Sequence, residues 1–467
     1  MTQTDLSTYS TYNPATGDCL ATLANMGKTE TELAIQSAHQ AFLVWRKTLA
    51  KERAKLLYRW YELILENQDQ IAKTMVQEQG KPMKEAKGEI FYGASFVKWF
   101  AEEARRPYGD IIPTDQPSKR IWVHQEPVGV VAAITPWNFP MAMITRKCAP
   151  AFAAGCSVIL KPAEQTPLTA LLLKDLADQA GFPKGLFQVL TADRPQSEII
   201  GQTLMASFEV RKLTFTGSTK VGKHLMALAA QNVKKVSLEL GGNAPFLIFE
   251  SADLKQATQG AMMSKFRNAG QTCISANRFL VHKQILDLWL PLIKEATENL
   301  KVGNGFEIGV DIGPLINESA VQKVDRLVQD AIAKGAQLIL GGHRLDGLFY
   351  APTILTGIRA DMQIYHEEIF GPVIAIQSFD SEDEAIQLAN DTKAGLAAYF
   401  YSQSYQQIFR VSSAIQAGMV AVNDGALSTE IAPFGGTKES GIGREGGRSG
   451  MGDFLEEKYV AWGGLGY

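Results

Sequence analysis

An α/β fold spread over more than one domain is what this sequence predicts, and three observations carry the prediction. The chain has 467 residues, more than one hydrophobic core usually serves. Its composition, 46% hydrophobic and 20% charged, is that of a folded globular protein and leaves no room for extensive disorder. Short apolar runs alternate with stretches of helical periodicity, the pattern of βαβ units around a parallel sheet with helices on both faces.

Taken in order, residues 29–104 carry apolar side chains at helical spacing, interrupted by the Gly80-Lys81-Pro82 turn, and predict a helical N-terminal region. From Tyr108 to Glu126, Gly109, Pro113, Pro117 and the following Pro127 punctuate alternating segments such as IWVHQEPVGVV, a strand or hairpin projecting from the body. The sheet strands follow: VGVVAAI (128–134), SVIL (157–160), LFQVL (186–190) and KLTFT (212–216). The carboxyl edge of such a sheet is where a ligand is expected. KVSLEL (235–240) and PFLIF (245–249) are read as opening a second α/β segment, with helices near Leu254–Arg267, Leu286–Leu300 and Ser319–Lys334 and a boundary near Gly241-Gly242. Beyond Gly435 the chain is rich in glycine and charge and closes on YVAWGGLGY, an added edge strand. No internal repeat or low-complexity tract is evident.

Several function classes are disfavoured at once. With 46 Lys+Arg against 49 Asp+Glu, the net charge of -3 creates no field that would gather nucleic acid or an anionic membrane. Cys19, Cys148, Cys156 and Cys273 form no C-x-x-C pair and have no histidines at zinc-like spacing, so neither a metal nor a disulfide framework is expected. The opening MTQTDLSTYSTYNPATG lacks the basic start and apolar run of a secretory signal, and no uninterrupted apolar stretch suits a spanning helix. A cytoplasmic location is expected.

Cys273 lies in FRNAGQTCISANR among small and polar residues just after a predicted helix, a setting able to support a thiolate, although a buried packing cysteine is the commoner role. Cys148 and Cys156, in RKCAPAFAAGCSVIL, read as packing cysteines. Glu239 ends the apolar strand of KVSLELGGNAP. It is either a desolvated carboxylate suited to general-base work near neutral pH or an exposed strand-end charge. Asn138, in ITPWNFP directly after the first sheet strand, is either a turn former or a rigidly held amide facing a developing oxyanion. The G-x-G-x-x-G fingerprint is missing. FTGSTKVGKH instead leads a strand through Gly217-Ser218 into a helix N-terminus that could bind phosphate. The same stretch fails as a G-x-x-x-x-G-K-[ST] loop at His224, which argues against a nucleotide hydrolase. Lys161 and Glu164 in VILKPAEQTP follow another strand, as ribose contacts or as ordinary surface charges.

PWNFP, KPAEQTP, FTGS, LELGGNAP, GQTC, EEIFGPV and PFGGTKESG, in this order across nearly the whole chain, resemble the aldehyde dehydrogenase superfamily. AEEARRPYGDIIP, AMITRK, SKFRNAGQTC and LAAYFYS draw the resemblance toward its succinate-semialdehyde dehydrogenases. The resemblance implies a Rossmann-type cofactor-binding domain (1–108 and 129–240), an α/β catalytic domain (241–434) and a small β oligomerisation element (109–128 and 445–467), in a homodimer or homotetramer. It implies Cys273 as nucleophile, Asn138 and the Cys273 backbone N–H as oxyanion donors, and Glu239 as the base that activates water against a thioester. Trp137, Lys161, Glu164, Gly217, Ser218, Glu368 and Phe370 correspond to cofactor contacts. Arg146, Arg267 and Ser428 correspond to residues that hold the distal carboxylate of succinate semialdehyde, a pairing for which arginine is well suited. Glutarate semialdehyde and simple small aldehydes are the alternative substrates. NAD is favoured over NADP because a carboxylate at Glu164 would repel a 2′-phosphate. Ser275 stands where many relatives carry a second cysteine, so no redox-switch disulfide is expected. A cysteine hydrolase or acyltransferase has little support, because none of the six histidines falls in a revealing motif. A coenzyme A-acylating enzyme would typically lack Glu239.

Overall fold

The computed structural model describes residues 6–465; residues 1–5 and 466–467, the latter the last two of YVAWGGLGY, at the ends of the first and third predicted domains, lie outside the described residues. Among the described residues two large sheets dominate. In the first, Val130–Ile134, Ser157–Lys161 and Phe187–Val189 step outward one way, and Val210–Thr216 and Lys235–Glu239 the other, all parallel. The direction of winding reverses between Val130–Ile134 and Val210–Thr216. The crevice beyond the carboxyl ends of two such strands is where open α/β sheets bind ligands.

Strand alternation explains how this sheet is buried on both faces. Val130 and Ala132 pack with Ile35 and Phe42 of the helix Lys28–Trp45 on one side. Val131 and Ala133 pack on the other with the helices Ala50–Glu66, Met83–Glu103 and Ala142–Ala154. Trp60 sits at the heart of that second face, its ring 5.7–6.1 Å from those of Phe152, Phe182 and Phe187 and its indole N–H donating to the Leu173 carbonyl at 3.0 Å. The predicted N-terminal helical region is thus four helices that cover the sheet, with the predicted break at Gly80. The hairpin Thr8–Tyr12 with Cys19–Ala24 precedes them and places Cys19 at the start of its second strand.

KVSLEL requires a correction. Its strand Lys235–Glu239 pairs in parallel with Val210–Thr216 and belongs to the first sheet, not to a second segment. The second sheet begins at Ala244–Ile248, across the two glycines, and runs in seven strands through Ala276–His282, Val373–Phe379 and Ala397–Tyr401. The three predicted helices of this half span Leu254–Phe266, Lys283–Glu298 and Glu318–Ala333. From the Gly-rich tail, the two-residue strand Gly441–Ile442 returns antiparallel to Lys235–Glu239 and forms the edge of the first sheet. The predicted projecting segment and the C-terminal edge strand form one antiparallel sheet, in which Leu455–Trp462 pairs with Arg120–Pro127 and the latter with Asp110–Ile112. No helix among the described residues is long and apolar enough to cross a membrane.

Candidate active site

Cys273 lies between the helix Leu254–Phe266 and the strand Ala276–His282, at the end of a strained turn. Asn268 and Ala269 both have left-handed backbone angles (φ 54° and 55°), a conformation that costs ~1–2 kcal/mol per non-glycine residue. Polar contacts fix it: the Asn268 N–H donates to the Glu85 carboxylate at 2.9 Å and its side-chain amide to the Asn138 carbonyl at 3.0 Å. Behind the cysteine, a Cβ on Gly242 would lie 2.4 Å from the Cys273 carbonyl oxygen, so only glycine permits this approach of the two sheets' connections. The polar neighbours that could support a thiolate here work against desolvation. Burial pushes the Cys273 thiol up to about 12, with Arg146 and the adjacent Cys273 N–H acting against that trend. The thiol is therefore protonated at rest and needs a base.

Asn138 is 5% exposed and its amide is fully oriented: Oδ1 accepts the Phe139 N–H at 3.1 Å and Nδ2 donates to the Gln271 carbonyl at 3.0 Å. One of the two Nδ2 hydrogens remains for another acceptor. The loop that carries it is clamped by a buried ion pair. Lys81 Nζ bonds Glu89 Oε2 at 2.5 Å and the Asn138 carbonyl at 2.8 Å, while Glu89 Oε1 accepts the Met141 and Ala142 N–H groups that open the helix Ala142–Ala154.

Glu239, 2% exposed, has one carboxylate oxygen with no hydrogen-bond partner. Burial and the charge of Glu445 raise its pKa well above the ordinary carboxylate range, against the pull of Arg146, Lys147 and Arg444. A Cβ on Gly435 would lie 2.8 Å from the other oxygen, and this glycine's φ of 157° lies at the edge of the region other residues avoid. Of the two readings left open by the sequence, the exposed strand-end charge is excluded by this burial. Glu445 is different: burial resists its charge, but Lys147 and Arg146 on either side hold it low.

At the winding reversal of the first sheet, a cavity of about 280 Å³ is lined by Trp137, Asn138, Thr216, Gly217, Ser218, Cys273, Glu368 and Phe370, among others. Trp137 and Phe370 meet edge to face at 5.7 Å, and Phe370 holds a strained φ of 57° to do so. Glu368 accepts the Gly242 N–H at 3.1 Å, and burial pushes its pKa to about 7. The Thr216 hydroxyl is buried without a partner. Apolar ring-sized walls, a carboxylate and a free hydroxyl fit a ribosyl-nicotinamide group. Lys161 and Glu164 lie outside this cavity at the same sheet edge, 3.8 Å from each other, and burial brings Lys161 down to about 8.

A second cavity of about 290 Å³ is walled by Thr272 and Ile274, the neighbours of Cys273, and by Tyr92, Arg267, Tyr399 and Ser428. Arg267 Nη1 donates to Ser428 Oγ at 3.1 Å, and its guanidinium lies over the Phe139 ring at 4.7 Å. Arg146 is not brought to this wall. Its Nε bonds Glu445 at 2.5 Å and its guanidinium stacks 4.1 Å above the Phe434 ring, so it acts as a buried cation behind Cys273 and Glu239 and not as a pocket-lining partner of Arg267.

The sequence reading passed over Lys81, Glu89, Tyr92 and Glu445. Glu89 left a signal, a carboxylate on the buried stripe Ala86, Ile90, Gly93, Val97 of its helix. Glu445, 299 residues from Arg146 in a Gly-rich tail, left none.

The profile of the Aldehyde dehydrogenase family matches residues 1–460. A 3-sulfolactaldehyde dehydrogenase of Pseudomonas putida is 55% identical over 98% of this chain and 94% of its own length. A succinate semialdehyde dehydrogenase of Acinetobacter baylyi is 53% identical over 97% and 94%. Among solved structures, an NADP-dependent enzyme from E. coli superposes with a TM-score of 0.96 at 50% identity, covering 98% of this chain and 95% of that one.

Proposed function

Since the chain belongs to the aldehyde dehydrogenase family, whose members oxidise aldehydes with NAD(P)+, we propose that it converts succinate semialdehyde to succinate through a thioester on Cys273. The observation that carries the substrate choice is the Arg267–Ser428 pair on the wall that begins at the neighbours of Cys273. A guanidinium on the wall of a small cavity favours an aldehyde with an anionic tail. Glutarate semialdehyde is the next candidate, and the relative named for 3-sulfolactaldehyde makes a sulfonate tail a further one.

In this reading Cys273 Sγ adds to the aldehyde carbon as its proton leaves to the Glu239 carboxylate, directly or through water. The free Asn138 Nδ2 hydrogen and the Cys273 N–H hold the oxyanion, preorganised by the Gln271 and Phe139 contacts. The bound nicotinamide supplies the hydride acceptor, in the cavity lined by Trp137, Gly217, Ser218, Glu368 and Phe370. Glu239, having passed that proton to solvent, then takes one from water, whose oxygen attacks the thioester carbon; the C–S bond breaks, the sulfur takes its proton back from Glu239, and the acid leaves as the carboxylate after losing its own proton. Arg146 and Lys147 neutralise Glu445 beneath Glu239, limiting how far the base is raised.

NAD is the preferred cofactor here, from the carboxylate of Glu164 beside Lys161. The three-part domain division set out above belongs to the same proposal. So does a homodimer or homotetramer built on the antiparallel sheet, where Ile111, Tyr459 and Trp462 are exposed. The test is the absorbance of reduced nicotinamide with succinate semialdehyde, glutarate semialdehyde and butanal, each with NAD and NADP. Strong preference for the tailed aldehydes supports the reading. Equal turnover of butanal removes Arg267 and Ser428 from substrate recognition and leaves only general aldehyde oxidation.

A further inference from the structure

Most polar groups on the second cavity's wall are already committed. Thr272 Oγ1 donates to the Arg267 carbonyl, Ser264 Oγ to the Ala261 carbonyl, and Tyr399 Oη to the Ile274 carbonyl at 2.8 Å. Tyr92 differs. Its hydroxyl is buried and has no hydrogen-bond partner, and the residue lines this same cavity. The ring is fixed on the helix Met83–Glu103, edge to face with Phe96 at 5.0 Å, and the Arg267 guanidinium lies 5.9 Å from its centroid. A buried tyrosine hydroxyl normally finds a partner, so one left unpaired on a residue that lines a cavity points to a ligand that completes it.

The neighbouring groups define that ligand's chemistry. Ser428 Oγ already accepts from Arg267, so its own hydrogen is free to donate, and the guanidinium can only donate. An ammonium tail would meet the Arg267 guanidinium as a like charge, and a hydrocarbon tail would leave the free Ser428 and Tyr92 hydrogens unpaired. We propose that Tyr92 is a specificity-determining residue whose O–H donates to the anionic tail of the aldehyde, completing a three-residue donor set with Arg267 and Ser428. The inference rests on the anionic-tail reading above and assigns it a residue that the sequence did not reveal.

The test is Tyr92→Phe, which keeps the ring and its packing and removes one hydroxyl. KM for succinate semialdehyde is expected to rise about tenfold, the usual scale for a hydrogen bond to a charged group, with kcat within about twofold. Succinate should inhibit about tenfold less tightly, while kcat/KM for butanal does not fall. The melting temperature of the free protein should hold or rise, because no internal hydrogen bond is lost; a fall would mean that the hydroxyl serves the fold. Failure of the two ideas is distinguishable. If the wild-type protein does not prefer succinate semialdehyde to butanal, the anionic-tail reading fails. If it does prefer it and Tyr92→Phe retains both KM and succinate inhibition, the Tyr92 assignment alone is overturned.

Discussion

The two cavities that meet at residues 272–274 are built on different principles. The one at the winding reversal of the first sheet rests on strand ends, a glycine turn and a helix start, features the βαβ architecture itself provides, with Glu368 and Phe370 closing it from the second half of the chain. The other owes its character to side chains contributed by distant segments, Tyr92, Arg267 and Ser428. The first is a property of the fold; the second is a property of this sequence. A change in the shared wall should therefore abolish all turnover, whereas a change in either cavity should alter one kind of selectivity and spare the other.

The largest effect is expected from Cys273→Ala, which should bring oxidation of every aldehyde below detection while cofactor affinity, measured by fluorescence quenching, is retained. Any retained turnover would sink the mechanism. Glu239→Gln comes next. It removes the acceptor for both the thiol's proton and the water's, so turnover should fall by ~10²–10⁴-fold, the usual contribution of a positioned base. The pH dependence has a definite sign. Because burial raises the Glu239 pKa, its basic form accumulates only as pH rises through that raised value, so the wild-type steady-state rate should climb with pH in a range where an ordinary carboxylate is already ionised, and the Gln variant should lose that limb.

Arg267→Met sharpens the comparison from the other side. The loss of kcat/KM for succinate semialdehyde should be about a hundredfold, from a charge-assisted contact, with butanal little affected. A parallel loss on butanal would mean that the arginine holds the 267–270 turn and not the substrate. Lys81→Met acts on neither cavity directly. It releases the Asn138 carbonyl and leaves Glu89 buried and unpaired, so both the melting temperature and kcat should fall, kcat by about tenfold. Adding Glu89→Gln should restore the melting temperature but not kcat, a split that a purely structural clamp would not give.

How much of this could be read in the sequence follows the same division. The strands Val130–Ile134 and Val210–Thr216 were legible because buried parallel strands are continuous apolar runs, and the turns at their ends were legible because glycine and proline mark them. Asn138, Glu239 and Cys273 could be singled out because each is a polar group in an apolar or strained context. Assigning Lys235–Glu239 to its sheet was beyond periodicity, since an apolar strand next to two glycines can belong to either side of them. Arg146 could not be read correctly, because its orientation is set by Glu445 and Phe434 from the far end of the chain. Tyr92 was hidden for another reason: its significance is a missing partner, and only coordinates reveal that.

The smallest expected effect concerns the cofactor. Lys161 and Glu164 sit 3.8 Å apart at the sheet edge, and the Glu164 side chain is 30% exposed. Replacing Glu164 with serine removes a charge that would oppose a 2′-phosphate and frees the Lys161 ammonium to meet it. A partly solvated charge of this kind is worth ~1 kcal/mol, so the NADP-to-NAD ratio of kcat/KM should rise about fivefold. Lys161 gives the change a pH signature. Burial brings its pKa down to about 8 and Glu164 is the main influence holding it up, so the variant's lysine should lose its proton at a lower pH than the wild type's. The gain for NADP should accordingly be greatest near pH 6.5 and fade as the pH rises through 8, while kcat/KM for NAD changes little. A ratio that does not move, or that moves without this pH dependence, would mean that the pair does not face the 2′ position of the ribose and that cofactor choice is made elsewhere in the first cavity.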